Sequence, residues 1–195
     1  MEITDSCNSE GQNGCHVAAA NGRLPVVKAL LIHASWEAIN KQDNTGCTPV
    51  YMASIHGHHD CVQALIERKV DLNIANNQGR TPLNAAALGG FDSIVESLIE
   101  GKADLGQASK VGGSAIYVAA WKGHVTCVQL LAQAKADVNR PNNNGFSPLN
   151  VACNKGHEAC VKVLLENRAD VQKRTRGQTP LHFASAAGHL GYVAL

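Results

Sequence analysis

Cys153, His157 and Cys160 stand in the pattern Cys-x3-His-x2-Cys, and thiolate and imidazole are the usual donors to zinc. A second group, His56-Gly57-His58-His59-Asp60-Cys61, places five residues with donor atoms in six positions. A metal site needs its donors to converge on one point. The alternative is that each residue stands where it does for a separate local reason. Other chemistry is not written in the chain: GxxxxGK[ST], a helix-opening GxGxxG, HExxH and GxSxG are all missing, and each is a spacing that its chemistry requires. Gly112-Gly113-Ser114 reads as the start of a helix rather than a phosphate cradle. These absences predict a non-catalytic protein with no cofactor and no small-molecule substrate.

The elements that carry these residues decide between the two readings. The chain has 195 residues, 45% of them hydrophobic but only 4% aromatic, so its apolar content is mostly small and aliphatic and suits close helix packing. A net charge of +1 predicts no general pull toward nucleic acid or membrane. The start, Met1-Glu2-Ile3-Thr4-Asp5-Ser6-Cys7, has no basic segment followed by an apolar core and is not read as a secretory signal. No apolar run approaches the roughly 18 residues of a membrane span. Seven cysteines without a CxxC pair favour reduced thiols. The expected location is the cytoplasm, with the nucleus as the alternative.

The chain repeats itself. Thr48, Thr81, Ser114 and Ser147 are 33 residues apart at each step, and Thr179 follows after 32. Each lies two residues after a glycine, and proline follows in four of the five. Five residues after the hydroxyl there is always alanine (Ala53, Ala86, Ala119, Ala152, Ala184), and nine after it always glycine (Gly57, Gly90, Gly123, Gly156, Gly188). Residues 1–12 lack the pattern and are expected to be a disordered lead-in. From Asn13 a degenerate copy keeps Ala18 and Gly22 but has no Thr-Pro, and its spacing to the next copy is longer by two residues around Ala34-Ser35-Trp36. Atypical terminal copies are what a stacked array needs, because an end unit has no neighbour on one face.

One unit follows from its letters. A hydroxyl followed by proline caps and opens a helix. A short apolar run such as Leu83-Asn84-Ala85-Ala86-Ala87 continues it until glycine ends it in a left-handed conformation. A second apolar-periodic segment such as Val128-Gln129-Leu130-Leu131 gives an antiparallel helix pair. A polar turn then projects outward, as in Asn139-Arg140-Pro141-Asn142-Asn143-Asn144-Gly145. The recurring alanine marks where short helices approach closely and a larger side chain would overpack. In this register Cys153 aligns with Ser54, Ala87, Ala120 and Ser185, a small packing position. His157 aligns with His58, His124 and His189, and Cys160 with Cys61, Cys127 and Ile94. Each member of both donor clusters therefore has a packing explanation or lies on the surface, and no metal site is expected.

These letters resemble the ankyrin repeat, Gly-x-Thr-Pro-Leu-x-x-Ala-Ala-x-x-Gly-His, then Val-x-x-Leu-Leu, then Ala-Asp-Val-Asn. The chain supplies Gly79-Arg80-Thr81-Pro82-Leu83-Asn84-Ala85-Ala86, Gly156-His157, Val161-Lys162-Val163-Leu164-Leu165 and Ala136-Asp137-Val138-Asn139. The resemblance spans 13–195 and implies an all-α solenoid of about six stacked helix-turn-helix units joined by hairpin-like turns. The approximate units are 13–40, 41–73, 74–106, 107–139, 140–171 and 172–195, the last truncated inside its second helix, as in a fragment of a longer protein. Two departures stand out. The family's histidine three residues after the threonine is read only at His182, with Tyr51, Asn84, Tyr117 and Asn150 elsewhere, and the turn aspartate only at Asp43. Both predict fewer bonds between repeats than in an idealised array.

The resemblance also implies a binding surface: partners of such arrays usually lie on the concave face made by turn tips and first helices. The register puts Tyr51, Arg80, Leu88, Tyr117, Trp121, Lys122, Phe146, Asn150, Lys155 and Arg176 there. Trp121 stands where its counterparts are Ile55, Leu88, Asn154 and Ala186, so the stack does not require an aromatic. It either anchors a partner or merely covers its own helix. Lys110, Lys122, Lys155, Arg174 and Arg176 fall on turn or concave positions, while Asp92, Glu96, Glu100, Glu158 and Glu166 fall on second helices. This split is either ordinary solvated charge or a basic groove for an acidic protein segment with an apolar anchor. The expected function is a non-catalytic scaffold or adaptor for protein–protein recognition. The alternative is the targeting module of a longer ligase- or kinase-type enzyme, while nucleic acid is the weakest candidate partner and membrane none.

Overall fold

A computed structural model describes residues 6–189. The chain divides into two compact units, Met1–Asp104 and Leu105–Leu195. Among the described residues there are twelve helices and no strand longer than an isolated bridge, as the repeat reading predicts.

The first unit holds three repeats. Helices α1 (Gly14–Ala20), α2 (Leu24–His33) and a single turn α3 (Trp36–Ile39) form the first, α4 (Pro49–Ile55) and α5 (His59–Glu67) the second, and α6 (Pro82–Gly89) and α7 (Asp92–Glu100) the third. First helices stack in the order α1, α4, α6 and second helices in the order α2, α5, α7. The second unit repeats the plan with α8 (Ala115–Lys122), α9 (Val125–Gln133), α10 (Pro148–Lys155), α11 (Glu158–Glu166) and α12 (Pro180–Ala186). There α8, α10 and α12 stack in order, and α9 packs on α11. The expected second helix of the last copy lies outside the described residues.

Local chemistry explains these elements. The backbone N–H of Asn84 donates to Thr81 Oγ1 and that of Asn150 to Ser147 Oγ, each over 3.2 Å, closing the first turns of α6 and α10. Pro49, Pro82, Pro148 and Pro180 occupy the opening of their helices, where the missing N–H costs nothing. Ser114 departs from expectation: its backbone is extended like the other caps, but its hydroxyl makes no capping bond and has no partner, although it is buried. The alanines Ala53, Ala86, Ala119, Ala152 and Ala184 are all 0% exposed, which agrees with their role at the closest approach of the first helices.

The degenerate first copy is more regular than its letters imply. Asn13 takes the place of the hydroxyl, with its Oδ1 accepting the N–H of His16 over 3.2 Å and its Nδ2 donating to the Ala38 carbonyl over 2.8 Å. His16 therefore occupies the same histidine position as His182. It is fully buried, and its Nε2 reaches the Cys47 carbonyl of the next repeat at 3.0 Å. The longer spacing forms α3, which Ser35 caps through the N–H of Ala38 at 3.1 Å. Residues 8–12, expected to be loose, make a turn in which Asn8 Oδ1 accepts the N–H groups of Glu10 and Gln12. The Glu10 carbonyl accepts the N–H of Asn44 over 3.0 Å, which ties that turn to the second repeat.

The substitutions for histidine and aspartate keep one bond and lose another. Asn76 and Asn142 do the work of Asp43, each Oδ1 accepting two backbone N–H groups within its own turn. The side chains of Asn84 and Asn150 also complete their caps, with Oδ1 accepting the N–H of Thr81 and of Ser147. An asparagine is shorter than a histidine, however, and the buried Nδ2 of both residues has no hydrogen-bond partner. The expected loss of inter-repeat bonding is thus confined to the far end of the side chain.

The last spacing is 32 because the turn of the last copy is tighter. Thr175 and Gln178 exchange backbone hydrogen bonds of 2.8 and 3.0 Å around Arg176 and Gly177. Both central residues have positive φ, 51° and 78°, which makes this a two-residue hairpin of type I′.

Candidate functional site

Most members of the two donor clusters are scaffold residues. Cys153 and Cys160 are buried, and burial pushes both thiols up to about 11, so neither is poised to become a thiolate ligand. His157 points its Nε2 to the carbonyl of Trp121 in the preceding repeat, 3.2 Å away. A Cβ at Gly123 would lie 2.7 Å from the His157 ring, so glycine at that position leaves the space the imidazole fills. In the other cluster His58 makes the equivalent bond to the Ala20 carbonyl at 3.0 Å. His59 is half-buried and contacts Ser97 Oγ at 3.1 Å, while His56 is exposed. No group of three or more metal-ligating side chains converges among the described residues.

The ten positions assigned to a partner surface separate into three groups. Tyr51 and Asn150 are corrections. Tyr51 is 5% exposed, packed with Cys47 and Ala85, and burial raises its phenol above the usual tyrosine value. Asn150 is 0% exposed because its amide is committed to the cap of α10 and accepts the Thr175 hydroxyl at 3.3 Å. Register alone places a residue on a helix, and here the side chains fold back into the seam between repeats.

Arg80, Leu88 and Tyr117 are half-buried. The Tyr117 hydroxyl accepts the Asn142 Nδ2 over 2.9 Å, so its polar end links two repeats. Arg80 lies close enough to the Tyr51 hydroxyl to offset part of the effect of burial on that phenol.

The remaining five all belong to the second unit. Trp121 is 39% exposed at the end of α8, and the Lys122 ammonium lies 4.5 Å from its ring centroid, a cation–π contact on the surface. Lys155 is exposed at the same register position of α10 that Lys122 holds in α8. Phe146, just before α10, packs against Phe183 of α12 with centroids 5.3 Å apart and rings inclined by 50°. The Arg176 guanidinium sits 5.8 Å from the Phe146 ring. Phe183 went unnoticed in the sequence, although the equivalent positions hold Met52, Ala85, Val118 and Val151.

A family model described as ankyrin repeats (3 copies) matches the chain over 15–109, 85–175 and 116–195. The ankyrin repeat-containing protein ITN1 of Arabidopsis thaliana is 37% identical over 71 residues, which is 36% of this chain and 12% of that protein. The match thus spans about one eighth of that relative's length. The crystal structure of the ankyrin repeat domain of Bcl-3, a member of the IκB protein family, is similar with a TM-score of 0.83 at 30% identity. That likeness covers 94% of this chain and 82% of the Bcl-3 domain.

Proposed function

This chain belongs to the ankyrin-repeat family, a family of protein–protein interaction modules, and from that premise we propose that it binds a protein segment through the turns and first helices of its second unit. The observation that carries this reading is Trp121. It is exposed at a position where the other repeats have Ile55, Leu88, Asn154 and Ala186, so packing does not explain it. Tryptophan is enriched among the residues that dominate binding energy at interfaces. Lys122 lies against its ring, and Lys155 and Arg176 add exposed positive charge on the two repeats that follow, which suits an acidic segment carrying an apolar anchor. The role is that of a non-catalytic scaffold or adaptor. Seven thiols with no disulfide suit a reducing compartment, the cytoplasm or nucleus. Among the described residues no helix is long and apolar enough to cross a membrane.

The test is capture of binding proteins on the wild-type chain, followed by titration of a captured protein against wild type and Trp121→Ala. The variant is expected to weaken binding by about 2 kcal/mol, roughly thirtyfold, with an unchanged melting temperature. Equal affinity for both proteins would remove Trp121 as the anchor.

A further inference from the structure

The hairpin that closes the last turn is strongly and locally basic. Lys173, Arg174 and Arg176 fall within four residues, and no Asp or Glu occurs between Asp170 and the end of the described residues. No carboxylate of the described residues pairs with any of these three cations within 4.0 Å. Two are steadied by backbone: the Lys173 ammonium donates to the Asn139 carbonyl over 3.3 Å, and Arg174 Nη1 to the Gly177 carbonyl over 3.1 Å. Arg176 is exposed and held over the Phe146 ring.

The backbone fixes how the arginine is presented. Both central positions of a type I′ turn require positive φ, and asparagine followed by glycine is the pair that meets this at least cost. This turn has arginine at the first position, at φ 51°, a region that a residue with a long side chain rarely occupies. Four other basic residues share this conformation at the ends of second helices, but Arg176 holds it at the tip of a hairpin. The Thr175 hydroxyl anchors the hairpin to the preceding turn by donating to the Gly145 carbonyl over 2.6 Å, so the arginine is presented from a fixed base.

We propose that the segment Lys173–Gln178, which contains the hairpin, binds with Phe146 beside it a phosphorylated serine or threonine in the partner segment. The proposal rests on the reading of the second unit as a protein-recognition surface and names the group it takes. Three uncompensated cations within four residues match a phosphate, which carries nearly two charges and three acceptor oxygens, better than a single carboxylate. The patch occupies one hairpin in a protein of net charge +1, which suits one phosphate rather than the long track of a polyanion. Phe146, half-buried against Phe183, offers an apolar wall to the residue that neighbours the phosphate.

The experiment uses the full chain and three degenerate peptide pools that differ only in a fixed central phosphoserine, glutamate or serine, followed by fluorescence anisotropy. The phosphoserine pool is expected to bind at least about tenfold tighter than the other two. Arg176→Asn should abolish that preference while the melting temperature holds or rises, because asparagine suits the turn. Trp121→Ala should weaken all three pools alike. If glutamate and phosphoserine bind equally while Trp121→Ala still weakens both, the phosphate assignment falls and the recognition surface stands. If Trp121→Ala leaves every pool unchanged while Arg176→Asn removes the phosphate preference, the hairpin stands and the wider surface falls. Failure of all pools to bind, or a preference untouched by Arg176→Asn, overturns the proposal. So does a single-stranded oligonucleotide or an anionic vesicle that binds tighter than the phosphoserine pool and is lost in Arg176→Asn.

Discussion

The Nδ2 of Asn142 donates to the hydroxyl of Tyr117 over 2.9 Å, joining the first helix of one repeat to the turn of the next. One repeat later, Asn150 sits at the position equivalent to Tyr117, and its buried Nδ2 finds no partner. His16 shows what a longer side chain achieves at this register, since its Nε2 reaches the Cys47 carbonyl ahead of the next cap. The equivalent carbonyl ahead of Thr179 belongs to Gln178. Asn150→His is therefore expected to gain that bond and remove the unsatisfied group. The gain should be about 1 kcal/mol, a rise of roughly 2–4 °C in melting temperature. A melting temperature at or below wild type would show that the seam cannot admit the ring.

Ser114 and Thr81 hold the same place in their repeats but only Thr81 caps its helix. Thr81→Ala should cost about 1 kcal/mol by urea denaturation. Ser114→Ala, which removes a buried hydroxyl without a partner, should be neutral or slightly stabilising. Equal losses in the two variants would contradict this difference.

Lys69, Lys102, Lys135 and Arg168 follow the second helices with φ between 55° and 70°. Glycine occupies such left-handed positions at no steric cost. Lys135→Gly should raise stability by about 0.5–1 kcal/mol, measured by the same denaturation curves. A loss would mean that the favourable placing of a cation at the helix C-terminus outweighs backbone strain.

Thiol chemistry separates the packing account of the cysteines from a metal account. Cys7 is exposed and the other six cysteines are buried, with Cys153 and Cys160 pushed up to about 11 by burial. In the folded protein near pH 8 an alkylating reagent should modify Cys7 and leave the other six until denaturant is added. Stability should also be indifferent to chelators and to added zinc. Rapid alkylation of Cys153 or Cys160, protected by zinc, would revive the metal reading.

The architecture was legible because repeat letters are set by backbone needs that recur: a cap, a close approach, a left-handed stop. Side-chain direction was not legible to the same degree. Tyr51 and Asn150 share the register of Tyr117, yet their exposure is decided by neighbours that differ from repeat to repeat, such as Cys47 beside Tyr51 and Thr175 beside Asn150. His16 was hidden because its cap is asparagine rather than a hydroxyl, so the motif looked absent. The tight hairpin at Arg176 did leave a trace, the single spacing of 32. The meaning of that trace needed the φ angles of Arg176 and Gly177.

Three turn asparagines also hold their tips to the ones before them. Asn44 Nδ2 donates to the Ser9 carbonyl, Asn77 Nδ2 to the Asn44 carbonyl, and Asn143 Nδ2 to the Lys110 carbonyl, over 3.1, 3.0 and 2.8 Å. Tips tied in this way are already ordered, so a partner that docks on them would lose little ordering entropy on association. Affinity would then change with the identity of the few side chains the scaffold leaves uncommitted, and a new specificity would require exchanging letters rather than reshaping loops.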